Sequence, residues 1–89
     1  MINTQISHYR LHKKIGEGTY GSVYRGVHIH DDELVVAIKI VHAHLSSDKA
    51  FLDGLRKECR ILSKLLHPNI VGFRDLVISE DHPPAMILE

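Results

Sequence analysis

The chain has no tryptophan, a single cysteine and only three prolines, and its eleven basic and eleven acidic residues cancel to a net charge of zero. The lone Cys59 excludes an internal disulfide and suits a reducing compartment. Charges of both signs are interspersed, which gives no case for nucleic acid or an anionic membrane surface as a partner. Long apolar runs are also missing. No stretch approaches the length needed to cross a bilayer, and Met1 to Ser7 hold no apolar core of a secretory signal, so a cytoplasmic location is expected. With 89 residues there is room for one domain, which buries only about two-thirds of its unfolded surface, and marginal stability is expected.

Histidine, by contrast, is abundant at eight residues. His28 and His30 would share a strand face if that strand continues, and so would His42 and His44. Zinc sites usually need three or four ligands in a closed geometry, and side chains near strand ends reach solvent. Surface histidine is therefore the preferred reading, and no metal site is expected.

The run Val35-Val36-Ala37-Ile38-Lys39-Ile40-Val41 reads as a strand with both faces largely covered, and Lys39 stands inside it. An ammonium taken out of water costs several kcal/mol unless it finds a carboxylate or phosphate. From about Ser47 to Leu66 the chain predicts a helix, with Phe51, Leu55, Leu62 and Leu65 at helical spacing. Glu58 falls in the same stripe. It either points at the sheet carrying Lys39 or snorkels to water at the stripe's edge, and periodicity does not separate the two. Its neighbour Cys59 suggests packing. Gly54 inside this helix costs up to about 1 kcal/mol against alanine.

Upstream, Gly16, Gly18 and Gly21 fit G-x-G-x-x-G, a pattern shared with dinucleotide-binding folds. There the glycines end a strand and open a helix. In this chain both flanks, Tyr9 to Ile15 and Ser22 to Ile29, predict strands, so the glycines form a hairpin turn. Lacking a Cβ, they can take positive φ and let backbone N–H groups approach phosphate oxygens.

On these residues the chain resembles the N-terminal lobe of a protein kinase of the eukaryotic-like Ser/Thr type. Gly16 to Val23 matches G-x-G-x-x-G-x-V, Val36-Ala37-Ile38-Lys39 matches V-A-I-K, and Glu58 sits at family spacing before His67-Pro68-Asn69-Ile70-Val71. The resemblance implies an α+β fold with about five antiparallel strands and one αC-type helix, spanning residues 9–89 after a flexible leader at 1–8. It implies that Lys39 holds the α- and β-phosphates of ATP and pairs with Glu58. Gly16, Gly18 and Gly21 would cover the phosphates, with Tyr20 shielding them from the loop tip. Ile15, Val23 and Ala37 would line the adenine pocket. Leu88 would be the gatekeeper, and the backbone of Glu89 would begin the edge that hydrogen-bonds adenine. Leu62 and Phe73 would form the upper half of the regulatory spine.

The family's H-R-D catalytic loop and magnesium-binding D-F-G do not occur in the 89 residues. The resemblance therefore implies that the chain by itself is inactive, with no catalytic residue or metal ligand of its own. Mg²⁺ and a protein substrate would engage the second lobe of a full-length kinase. The alternative is a stand-alone lobe acting as a non-catalytic nucleotide-sensing or interaction module.

The remaining organisation is expected to be simple. A turn at Asp31-Asp32-Glu33 precedes the lysine strand, and a linker spans Ala43 to Asp48. After the helix come a strand from about Ile70 to Val77, a polar turn from Ser79 to Pro83 and a last strand to Glu89.

Overall fold

The computed structural model describes residues 1–64 and 72–89. The expected turn at His67-Pro68-Asn69-Ile70-Val71 and the helix positions Leu65 and Leu66 lie outside the described residues.

Among the described residues six strands form one antiparallel sheet in the order β1-β2-β3-β4-β6-β5. They are β1 (Gln5–Ile6), β2 (Tyr9–Glu17), β3 (Gly21–His28), β4 (Asp31–Val41), β5 (Phe73–Val77) and β6 (Ala85–Leu88). A 3-10 turn at Ala43–Leu45 leads from β4 into the helix α1 (Lys49–Leu62). The expected α+β class therefore holds, and the described residues form one α-helix and six strands where about five strands were anticipated.

The extra strand is a correction to the flexible leader. Ile6 is fully buried, Ile6 and Gln5 pair with Tyr9 and Arg10, and Thr4 accepts from the Leu11 N–H at 2.9 Å. A single apolar residue in a polar leader gives no periodic signal, yet it closes one end of the core. Ser7 takes a left-handed φ of 55° to turn the chain back so tightly.

The next turn also moves. It falls at Ile29-His30, while Asp31, Asp32 and Glu33 are exposed residues of β4. Their carboxylates remain hydrated although the backbone is extended.

Strand β4 alternates instead of being covered on both sides. Val36, Ile38 and Ile40 are buried in one cluster with Ile6, Leu11, Tyr24, Ala85 and Ile87, while Ala37 and Lys39 on the other face are half-buried. A second cluster, built from Val41, Leu55, Cys59 and Met86, seats α1 on that other face. Asp48 caps the helix by accepting from the Phe51 N–H at 3.0 Å, a capping interaction worth about 1 kcal/mol. The expected helix bounds thus contract at the start to this cap.

The apolar stripe of α1 runs through Leu55, Cys59 and Leu62, with Phe51 and Leu52 half-buried at its start. Glu58 is exposed, which favours the second of its two readings, a carboxylate reaching water at the stripe's edge. A thiol can be buried without a partner, whereas a carboxylate loses its hydration, so the helix turns Cys59 inward.

Candidate functional site

The hairpin β2–β3 carries the glycines and lies directly beside the lysine strand. Antiparallel register places Val23 opposite Lys39 and Lys39 opposite Met86, while Ala37 faces Leu88. Directly opposed residues share a sheet face, so Val23, Ala37, Lys39 and Leu88 meet on the half-covered face that also carries α1. Four residues singled out in the sequence are thereby brought together. Met86 joins them, a position that sequence reasoning did not assign to the site.

The loop itself spans the β2–β3 connection. Gly16 pairs with Val23, Glu17 with Ser22, and the Gly18 N–H donates to the Gly21 carbonyl at 2.8 Å. Ile15 stands at an irregularity in the register between Lys14 and Gly16 and is 54% exposed. Among the described residues no glycine has positive φ, so positive φ is not what these glycines supply. At Gly21 the reason is close approach: a Cβ there would lie 2.5 Å from the Ile40 carbonyl oxygen. At Gly16 and Gly18 an added Cβ would meet its nearest atoms at ordinary contact distances.

His42, just after the end of β4, fastens the loop from beneath. Its N–H donates to the Tyr20 carbonyl at 2.8 Å, and its ring Nε2 lies 3.0 Å from the Gly18 carbonyl oxygen, which requires the proton on Nε2. The same nitrogen is 3.5 Å from the Glu17 carboxylate. Glu17 also bonds Lys14 and accepts from the Ser22 hydroxyl at 3.1 Å. The hydrogen bond from Lys14 chiefly, and then that from Ser22, hold the Glu17 carboxyl below its ordinary range, and the same bond to Glu17 raises Lys14. His42 had no sequence signal, because its role depends on register between strands far apart in the chain.

Lys39 does not meet Glu58 in this structure. Its Nζ sits 4.0 Å from the centroid of the Tyr20 ring, a cation–π contact, and Tyr20 in turn packs on Phe51 of α1 at 5.7 Å. Among the described residues Lys39 forms no ion pair with a carboxylate. The half-open face explains why it needs none: a half-hydrated ammonium is satisfied by water and an aromatic face. Cys59, beside Glu58, is pushed up in pKa by burial and then by the Glu58 charge.

At the far edge, the Glu89 N–H donates to the Gly72 carbonyl at 2.9 Å. That donor is committed within the sheet margin. The Glu89 carboxylate is exposed and 3.9 Å from Arg74. Among the described residues no group of three or more His, Cys, Asp or Glu is placed to hold a metal ion.

The model of the protein kinase domain matches residues 9–89. The chain belongs to the protein kinase family. Among the curated relatives of this kinase chain is the serine/threonine-protein kinase ATG1 of Kluyveromyces marxianus, 38% identical over 74 residues, covering 83% of this chain and 9% of that protein. Cyclin-dependent kinase 10 of Bos taurus is 40% identical over 73 residues, covering 82% of this chain and 20% of that protein. This kinase chain thus spans no more than about a fifth of the length of these relatives. In fold it is similar to the Mycobacterium tuberculosis PknI kinase domain, with a TM-score of 0.77 at 18% identity, over 100% of this chain and 35% of that one.

Proposed function

We propose that this chain is the ATP-binding lobe of a serine/threonine protein kinase. The observation that carries the reading is the convergence of Val23, Ala37, Lys39 and Leu88 on one sheet face beside the Gly16–Gly21 loop. The apolar members offer a flat, partly open surface for a purine, and Lys39 offers a cation where the loop would hold phosphates. The names of the relatives, serine/threonine kinases among them, support the substrate hydroxyl class.

In this reading the glycine-rich loop covers the nucleotide, and Lys39 meets the α- and β-phosphates as a point charge. Glu58 orients Lys39 only after the ammonium leaves Tyr20. Phosphoryl transfer also needs a base to position the attacking hydroxyl and metal ligands to neutralise the transferred group. The H-R-D and D-F-G motifs that supply them are not in these 89 residues, and the chain alone is proposed to be catalytically silent.

Calorimetric titration with ATP tests the assignment. Wild type should bind weakly, since half a pocket leaves the ligand exposed. Lys39→Ala should cost roughly tenfold or more in affinity, in line with loss of a charge-assisted hydrogen bond. Glu58→Ala should cost less, because Glu58 reaches the phosphates only through Lys39. Equal losses for both would contradict these two roles.

A further inference from the structure

The loop tip and the helix are joined through a stack that none of the roles above uses. The Tyr20 ring lies between the Lys39 ammonium, 4.0 Å from its centroid, and the Phe51 ring, 5.7 Å away. The Tyr20 main chain is held at the same time by the His42 N–H. Tyr20 and Phe51 are both half-buried, so neither is free to wander in solvent. Phe51 occupies the first turn of α1, shortly after the cap at Asp48.

We propose that Phe51 is a positioning residue for Lys39, acting through Tyr20: the helix clamps the loop-tip ring over the ammonium and holds it off the phosphate path. The inference rests on the reading of Lys39 as a phosphate ligand. An ammonium covered by an aromatic face on one side has fewer directions open to phosphate oxygens, and an incoming nucleotide must displace the ring. The energy of that contact is then subtracted from nucleotide affinity. Displacing the ring also uncouples the loop from the start of α1, which carries the exposed Glu58 further along.

The 89-residue chain itself serves for the test. In proton NMR without nucleotide, the Lys39 Hε resonances should be shifted upfield by the Tyr20 ring current. Tyr20→Phe should retain the shift and Tyr20→Leu should abolish it. Phe51→Leu keeps apolar filling under the helix while removing the ring, and should reduce the shift; Phe51→Tyr should restore it. In ATP titration, Phe51→Leu should bind about two- to fivefold more tightly than wild type, the range of an exposed cation–π contact. Phe51→Tyr should bind like wild type. Absence of the upfield shift in wild type overturns the inference, and so does a Phe51→Leu variant with unchanged shift and affinity. Should Lys39→Ala bind ATP as well as wild type, or no variant bind at all, the nucleotide reading falls and the inference with it. If Lys39→Ala weakens ATP while Phe51→Leu does not strengthen it, only the positioning role fails.

Discussion

Gly21 shows how one hydrogen in place of a methyl can set the geometry of a site. Its Cα is packed so closely on β4 that a Cβ would lie 2.5 Å from the Ile40 carbonyl oxygen, and backbone cannot move aside as a flexible side chain would. Gly21→Ala should therefore destabilise the fold by about 1–3 kcal/mol, the usual range for overpacking, as read from a urea midpoint. An unchanged midpoint would show that the strands separate freely. The loop's ionic anchor gives a second prediction at this scale. Because the Glu17 carboxyl is held below its ordinary value of 4.5, its contribution is complete above pH 4.5 and is lost as pH falls through the lower folded value. Lys14 is raised above 10.5, so its contribution is complete below pH 10.5 and lost as pH rises through the raised value. The amide shift of Ser22 should thus step as pH falls below the acid limit. A step of equal size in Glu17→Gln would contradict the assignment. Lys39 was legible in sequence as an unusual charge in an apolar strand, but its ring partner was not. Tyr20 reaches it by a fold of the loop tip that no spacing rule encodes.

Among the elements, the strands that build the site were legible because alternating β-formers and turn residues define them locally. Strand β1 was not. Two residues carry no pattern, and Ile6 acquires its place only when Leu11, Ile38 and Ile87 assemble around it. Ile6→Ala should cost about 2–5 kcal/mol, the range for a fully buried large-to-small change, in thermal or urea unfolding. A cost near zero would mean that the leader is dispensable to the core. The helix was legible in existence, but its expected span of about Ser47 to Leu66 contracts to Lys49–Leu62 among the described residues, and its rotation was ambiguous by about one residue, which decides whether Glu58 or Cys59 is inside. Burial preference settles it for the thiol. Its raised pKa keeps Cys59 protonated at neutral pH, so it should react with a thiol-specific disulfide reagent far more slowly than the unfolded chain does. Fast reaction of the native chain would place the thiol outside the core. Gly54, in contrast, faces open space with nothing within 4 Å of an added Cβ, and Gly54→Ala should stabilise the helix by up to about 1 kcal/mol.

At the scale of the molecule, the two clusters on opposite faces of one sheet divide the labour. One stabilises the hairpin that carries the loop, and the other seats α1 beside Lys39. The proposed nucleotide surface lies on the helix side and is half-covered. A separate hollow of about 590 Å³ lies at the opposite end of the hairpin, lined by Arg10, His12, His28 and Asp31 among others. It contains none of Gly16, Val23, Ala37 and Lys39, and its size alone does not make it the nucleotide site. Nucleotide binding on the Lys39 face is tested most directly by an amide NMR map of the chain titrated with ATP. Shifts should be largest at Ile15 through Val23, Ala37 to Lys39 and Leu88 to Glu89, extend to the start of α1 at Phe51, and need at least about tenfold more ATP in Lys39→Ala. Shifts centred on Arg10, His12 and His28 to Asp31 instead, or the same map at the same ATP concentration in Lys39→Ala, would contradict it.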